Sequence, residues 1–313
     1  MTSAGWRRVV AAALAAAVVL LSAPGNAAAA GAGKIVVASK IDTEGALLGN
    51  LVAEVIAATG VAVERRIGLG PTNLVRAAIL AGQIDIYPEY TGNGAVFFHR
   101  EADPAWKDAA RGYAEIKQLD AAANHLAWLP PAPANNTWVI AIRGDLPGFP
   151  PPKCLDDLAT YLKKGGPFKL AASAEFVESP TALPAFEATY GFHLMADQLL
   201  TLSGGNTAAT LRAAAEGTSG VNAAMAYGTD GELAALKLTA LCDDEGAQIV
   251  YAPAPVARAA ILAAHPEIAP ALAPVFASLS LRTLQELNAR IAVDGEDPGA
   301  VARDYLKAKH FLP

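Results

Sequence analysis

The sequence predicts an α/β protein of two lobes, with one lobe inserted within the other. Three observations predict this class. Short apolar stretches alternate with helical stretches between residues 34 and 87, a pattern that gives right-handed crossovers and a largely parallel sheet. The same alternation starts again after the proline-rich stretch 146–153. The extended stretch 253–258 then leads into helices that complete the first lobe.

The elements of the first lobe follow from apolar spacing and from proline positions. In order, they are a strand at 34–39, a helix at 43–58, a strand at 61–67, a helix at 72–81, a strand at 84–87 and a helix at 103–120. The helix at 43–58 has apolar residues at helical spacing, and Pro71 or Thr72 is typical of a helix start. Pro88 is expected to end the strand at 84–87, because proline has no N–H to donate.

The inserted lobe repeats this alternation. Its expected elements are a strand at 137–143, a helix at 155–163, a strand at 169–172, helices at 182–190 and 206–215, a strand at 223–226, a helix at 231–235, and strands at 238–241 and 249–251. After the crossing at 253–258, helices are expected at 269–287 and 298–307. The predicted first lobe is therefore 34–138 with 252–313, and the second lobe is 139–251.

Residues 1–30 are predicted to be a secretory signal peptide. Arg7 and Arg8 precede an apolar run at 9–21, too short for a membrane span, and small residues follow. The remainder, about 280 residues, is long enough for two cores. Without the two arginines the formal charge falls from −6 to −8, since 22 basic residues face 30 acidic ones. This charge argues against nucleic acid or an anionic membrane as a partner.

Cys154 and Cys242 are the two cysteines of the chain. Export to an oxidising compartment favours a disulfide between them, with two free buried thiols as the alternative. No histidine stands at ligand spacing from either cysteine, so we expect no metal site. The sequence also predicts no cofactor.

The stretch 83–94, Gln-Ile-Asp-Ile-Tyr-Pro-Glu-Tyr-Thr-Gly-Asn-Gly, places tyrosines and an acid at the end of a strand, where α/β proteins bind ligands. It resembles the Asp-Leu-Tyr-Pro-Glu-Tyr-Thr-Gly-Thr segment of the substrate-binding proteins of ABC importers for osmoprotectants such as glycine betaine and choline. The resemblance covers nearly all of the chain after the signal peptide. It implies the periplasmic-binding-protein fold (type II), with two lobes joined by two hinge crossings.

The same resemblance implies an aromatic cage. A quaternary ammonium has no N–H, so a protein holds it against aromatic faces, each worth about 0.5–2 kcal/mol. The matching positions are Tyr90 and Trp138, expected from the first lobe or the hinge, and Tyr227 and Tyr251, expected from the second lobe.

By the same resemblance, two further residues are expected to bind the polar end of the ligand. Lys40 matches a lysine of the family's opening segment, and it follows a strand and faces a helix start, where an anion can bind. Asn93 stands where many relatives have threonine, and its amide can donate a hydrogen bond.

One departure concerns the ligand's carboxylate. Relatives that bind betaine usually have an arginine in the segment matching 175–179, but this chain has no arginine in 144–211. Ser179 or Glu178 takes that place. The loss of a bidentate carboxylate partner should weaken betaine capture and favour a purely cationic ligand.

The sequence therefore predicts a monomeric, periplasmic solute-binding component of an ABC importer. It would capture a quaternary amine such as glycine betaine or choline and deliver it to a permease in the inner membrane. One alternative is a different small amine or an amino-acid-like solute. The other is a secreted enzyme, which the sequence disfavours because it contains neither Gly-x-Ser-x-Gly nor His-Glu-x-x-His.

Overall fold

The computed structural model describes residues 33–149, 154–202 and 207–312. The predicted signal peptide, 1–30, and the end of the proline-rich stretch, 150–153, lie outside the described residues. The described strands are β1 (Ile35–Lys40), β2 (Val63–Gly70), β3 (Ile86–Tyr90), β4 (Leu126–Trp128), β5 (Trp138–Arg143), β6 (Leu170–Ser173), β7 (Leu199–Leu202), β8 (Ala223–Tyr227), β9 (Leu238–Ala240) and β10 (Pro253–Arg258). The described α-helices are α1 (Thr43–Ala58), α2 (Thr72–Leu80), α3 (Asn93–Phe97), α4 (Ala109–Asn124), α5 (Leu155–Lys163), α6 (Ala174–Glu178), α7 (Leu183–Tyr190), α8 (Thr207–Glu216), α9 (Glu232–Ala235), α10 (Ala259–Ala264), α11 (Ile268–Ser278), α12 (Leu281–Ala292) and α13 (Pro298–Ala308).

The described strands form two five-stranded sheets. The first has the order β2-β1-β3-β10-β4 and the second β7-β6-β8-β5-β9. Each sheet has a parallel part, β2-β1-β3 or β7-β6-β8, and an antiparallel part that contains β10 or β5. The chain thus passes to the second sheet between β4 and β5 and returns between β9 and β10. The exact lobe boundaries, 34–138 with 252–313 and 139–251, stay a prediction.

The two crossings lie side by side. The N–H of Asn136 donates to the carbonyl of Tyr251 at 3.0 Å, and the N–H of Tyr251 donates to Asn135 Oδ1 at 2.8 Å. The Thr137 hydroxyl donates to the carbonyl of Ile249 at 2.8 Å. The strand predicted at 249–251 is therefore wrong, because these residues bond to the other crossing instead of joining a sheet.

The prediction that Pro88 ends its strand is also wrong, since β3 runs through it to Tyr90. Pro88 lies opposite Pro255 of the antiparallel β10. The N–H of Thr91 donates to the carbonyl of Ala252, and residue pairs of an antiparallel ladder alternate between bonded and non-bonded ones. The two prolines therefore fall in a non-bonded pair, where neither needs an N–H.

Two long predicted helices are each divided. The stretch 103–120 forms a 3₁₀ turn at Pro104–Lys107 followed by α4, and the Asp108 side chain caps α4 by accepting the Arg111 N–H at 2.8 Å. The stretch 269–287 divides into α11 and α12, where Ser280 caps α12. Side-chain capping of the free N–H groups sets both helix starts.

Both faces of each sheet are covered by apolar side chains. On the first sheet, α1, α11, α12 and α13 pack on one face around Leu47, Leu51 and Phe276, while Trp106 and Trp128 pack on the other. The second sheet likewise has a core on each face. No helix in the described ranges combines the length and the apolar character needed to cross a bilayer.

The predicted disulfide is confirmed: Cys154 is bonded to Cys242. It joins the start of α5 to the segment after β9, where the Leu155 N–H also donates to the Cys242 carbonyl at 3.1 Å. The two cysteines are 88 residues apart. Closing such a loop stabilises the fold by about 4–5 kcal/mol in the chain-entropy model.

Candidate functional site

A cavity of about 590 Å³ lies where the two sheets face each other. Lys40 and Tyr90 reach it from the ends of β1 and β3, and Tyr227 reaches it from the end of β8. Asn288 and Ala292 of α12 close one side. Carboxyl ends of strands in open α/β sheets are where ligands bind, so this cavity is the candidate site.

The lining of the cavity is strongly acidic. Of the described residues, four carboxyl side chains line it, those of Asp42, Glu44, Asp230 and Glu232, against one basic side chain, that of Lys40. Much of the remaining lining consists of threonine and asparagine side chains. The site is therefore suited to a positively charged, polar ligand.

The one lysine of the lining is already paired. Lys40 Nζ forms an ion pair with Glu89, and both side chains are buried. Glu89 Oε1 also accepts the Tyr90 N–H and the Asn93 side-chain amide, each at 2.7 Å. The Lys40 ammonium in addition lies over the Tyr90 ring, 4.3 Å from its centroid. Lys40 is therefore held by the protein itself, and its charge is balanced by Glu89.

Glu44 lies in the first turn of α1 and is buried, with 5% of its surface exposed. Its Oε1 accepts the Tyr90 hydroxyl at 2.7 Å and the Asn136 amide at 3.2 Å, and its Oε2 accepts the Asn288 amide at 2.7 Å. All three donors are neutral. Burial raises the pKa of Glu44, although hydrogen bonds from Thr229, Tyr90 and Asn288 act in the other direction.

Asp230 follows β8 and is a second, half-buried carboxyl of the lining. One of its oxygens accepts the Tyr227 N–H at 2.8 Å. The pKa of Asp230 is raised to about 7, mainly by burial and also by the nearby carboxylates Glu232 and Glu44, while hydrogen bonds from the Tyr227 N–H and from Thr207 act in the other direction. Among the described residues, no lysine, arginine or histidine forms an ion pair with Asp230 or Glu44.

The predicted aromatic positions divide into two groups. Tyr90 and Tyr227 line the cavity, whereas Trp138 stacks on Tyr227 with ring centroids 4.3 Å apart and packs edge-on against Phe176. Trp138 lies in the second sheet, opposite Tyr227 in the β5–β8 ladder. Tyr251 lies outside the lining, against Gly92.

Two predicted polar positions also lie outside the lining. Asn93 sits behind the cavity wall, where its amide donates to Glu89. Ser179 follows α6, and its hydroxyl is 3.0 Å from the Thr181 hydroxyl. Of the seven predicted binding residues, the structure therefore brings Lys40, Tyr90 and Tyr227 together around the cavity, with Trp138 directly behind Tyr227.

The lining residues that the sequence did not predict include Glu44, Asn136, Asp230 and Asn288. Glu44, Asn136 and Asp230 stand next to segments that the sequence singles out. Asn288 lies far along the chain, in α12. A carboxylate in a helix's first turn is ordinarily a solvated group that favours the helix dipole. No local pattern distinguishes such a residue from one that tertiary packing buries.

The described residues offer no carboxylate cage for a metal ion. The one group of three potential ligand residues with atoms within 4.8 Å of one another contains the disulfide cysteines and Asp244. The cavity carboxyl groups are spread over a wider space and suit an organic cation better than a chelated ion.

The comparisons with known proteins agree with one another. A family profile described as "Substrate binding domain of ABC-type glycine betaine transport system" matches residues 33–308. The glycine betaine-binding protein YehZ of Escherichia coli K12 is 58% identical over 278 residues, which cover 89% of this chain and 91% of YehZ. A glycine-betaine-binding protein of Pseudomonas aeruginosa is 32% identical and covers 88% of each chain.

A solved structure of apo YehZ from Escherichia coli superposes with a TM-score of 0.84 at 57% identity, covering 90% of this chain and all of that one. The similarity confirms the predicted periplasmic-binding-protein fold.

Proposed function

The chain belongs to the family of substrate-binding domains of ABC-type glycine betaine transport systems, and on that premise we propose that it is the periplasmic solute-binding component of an ABC importer. Its ligand is a quaternary ammonium or betaine-type solute, which it delivers to a permease in the inner membrane. It acts as a monomer and performs no chemistry on the ligand.

One observation carries this proposal within the structure. The cavity between the sheets combines two tyrosines with four carboxyl groups, while its lysine is balanced by Glu89. Such a lining is complementary to a compact cation, whose charge is attracted by carboxylates and by aromatic faces. A cavity of about 590 Å³ also exceeds what a small solute such as choline needs.

The proposed contacts follow from position. Tyr227 lines the cavity and stacks on Trp138, so the part proposed for Trp138 is to fix the Tyr227 ring. Tyr90 is fixed by Glu44 and Lys40. Contact between the ligand and Asn93, Ser179 or Tyr251 requires the lobes to rearrange, and Lys40 contributes by holding Glu89 and the Tyr90 ring in place.

Calorimetric titration of the mature protein, after unfolding and refolding to remove carried-over ligand, tests the proposal. The panel is glycine betaine, choline, carnitine, proline betaine and ergothioneine, with glucose and arginine as controls. We expect saturable binding of at least one quaternary compound and a loss of about tenfold or more in Tyr227→Ala. Absence of binding to every quaternary compound, or preferred binding of arginine, would contradict the proposal.

A further inference from the structure

The cavity carries more negative charge than the protein neutralises. Among the described residues, none of the four lining carboxyl groups forms an ion pair with a lysine, arginine or histidine. Lys40, the one basic residue in the lining, is paired with Glu89, which does not line the cavity. Glu44 is the buried member of this group. A buried carboxylate without a cation is costly, so a ligand cation is its natural partner.

A second and independent observation comes from unsatisfied hydrogen-bond acceptors. Asn288 is 4% exposed, and its Oδ1 has no hydrogen-bond partner. The Asn288 amide nitrogen donates to Glu44 Oε2 at 2.7 Å and to the Thr229 carbonyl at 2.9 Å. Both of these partners are acceptors, so they fix which way the amide faces and leave Oδ1 without a donor.

Asn136 repeats this arrangement. Its amide nitrogen donates to Glu44 Oε1 at 3.2 Å, and its Oδ1 is buried without a partner. Both asparagines line the cavity. Both oxygens are covered by protein atoms. Buried polar atoms are nearly always hydrogen-bonded, so two acceptors without a donor, on side chains that line one cavity, indicate a ligand that brings a donor when these side chains turn toward it.

We propose that Glu44 and Asp230 are the counter-ions of the bound ligand, and that this site selects a monocation with an O–H or N–H donor over a zwitterion. The inference rests on the proposed function, and it assigns the charge selectivity to these two carboxylates. A zwitterion would bring its own carboxylate into a lining that already has four carboxyl groups and no arginine. It would also leave the two amide oxygens unsatisfied if it had no donor.

Three small probes separate charge from hydrogen bonding. Choline has a trimethylammonium group and a hydroxyl donor. Its O-methyl ether keeps the charge but has no donor, and glycine betaine has the same trimethylammonium group with a carboxylate and no donor. We expect affinity to fall in that order, with choline binding about tenfold or more tightly than glycine betaine.

The test is calorimetric titration of the three probes at pH 8, with wild type, Glu44→Gln and Asp230→Asn. Each variant should bind choline and its ether about tenfold or more weakly, while glycine betaine affinity stays within about threefold or improves. Glu64→Gln removes an exposed carboxylate on β2 that is paired with Arg66, and this matched control should leave all three affinities unchanged. Urea unfolding of each variant shows whether it is folded.

The possible failures differ in meaning. Binding of none of the quaternary probes would overturn the proposed function and this inference together. Glycine betaine binding as tightly as choline, with both weakened equally in Glu44→Gln and Asp230→Asn, would overturn the charge selectivity and leave the proposed function standing. Equal affinities for choline and its ether would overturn the part assigned to the amide oxygens.

Discussion

Asp120 and Glu44 are both buried carboxyl groups of the same lobe, but they have different partners. Asp120 is fully buried and accepts from Arg76 Nη1 at 2.8 Å, from Trp128 Nε1 at 2.6 Å and from the Asn124 amide at 2.7 Å. Glu44 also receives three hydrogen bonds, yet every donor is neutral. The protein thus completes the charge balance at Asp120 and leaves it open at Glu44.

This difference separates a structural carboxylate from one that awaits a ligand. Arg76 lies on α2 and Asp120 on α4, so their pair fastens two helices of the first lobe together. Glu44 instead faces a cavity and contacts residues from β3, the first crossing and α12. Burial alone does not distinguish the two groups, whereas the charge of their partners does.

The largest effect is expected when the balance at Asp120 is broken. Asp120→Asn leaves the buried Arg76 guanidinium without a counter-ion, and the free energy of unfolding should fall by about 3–5 kcal/mol. Urea unfolding at pH 7 measures this change. Glu44→Gln is the matched comparison and should lower the unfolding free energy by only about 1–2 kcal/mol, because its amide leaves one neutral donor unpaired but no cation without a counter-ion. Equal losses in the two variants would remove the distinction between them.

Asp230 should make stability depend on pH in the opposite sense to a salt-bridged acid. Its pKa is raised by burial from 3.8 to about 7, so the stability of the empty protein falls as pH rises through this range. Asp230→Asn removes this loss of stability at high pH. The variant should be roughly 2–4 kcal/mol more stable than wild type at pH 8, and equal to it at pH 4. Urea unfolding at both pH values checks this, and a variant that is less stable at pH 8 would contradict it.

Gly231→Ala tests the geometry around Glu44 without changing any charge. A Cβ at Gly231 would lie 2.2 Å from the Ala289 nitrogen of α12, so the segment after β8 must move away from α12. The Thr229 carbonyl would then lose its bond from Asn288, and choline affinity should fall about tenfold.

Gly144→Ala is the control for this change, because its Cβ would meet nothing closer than 3.5 Å. Titration calorimetry should show wild-type affinity in Gly144→Ala. If Gly231→Ala also binds normally, the packing of α12 against this segment does not support the site.

The smallest effect is expected at Ser179. Its hydroxyl bonds to Thr181 outside the cavity lining, so Ser179→Ala should change ligand affinity by less than about twofold. A loss of tenfold or more, measured by the same titration, would show that the lobes rearrange in the ligand complex and bring α6 to the ligand.

Local patterns predicted much of the fold, because apolar periodicity and helix-start residues report on short segments. The helix at 43–58 and the disulfide were predicted correctly. The continuation of β3 through Pro88 was not, because it depends on a partner strand more than 160 residues later in the chain, at Pro255.

The candidate site shows the same limit. Tyr90 and Tyr227 end strands, so strand patterns point to them. Glu44 and Asn288 are 244 residues apart and become binding candidates through their contact across the fold. The pairing of Lys40 with Glu89 also depends on β1 and β3 lying next to each other. The sequence predicted that Lys40 binds an anion of the ligand, but in the structure Glu89 balances its charge.

The most direct test is a crystal structure of the protein with bound choline. We expect the choline nitrogen to lie within about 4–6 Å of a Glu44 or Asp230 carboxylate oxygen, with the choline hydroxyl donating to Oδ1 of Asn136 or Asn288. A nitrogen more than about 8 Å from both carboxylates, beyond the range of effective attraction at physiological salt, would contradict it.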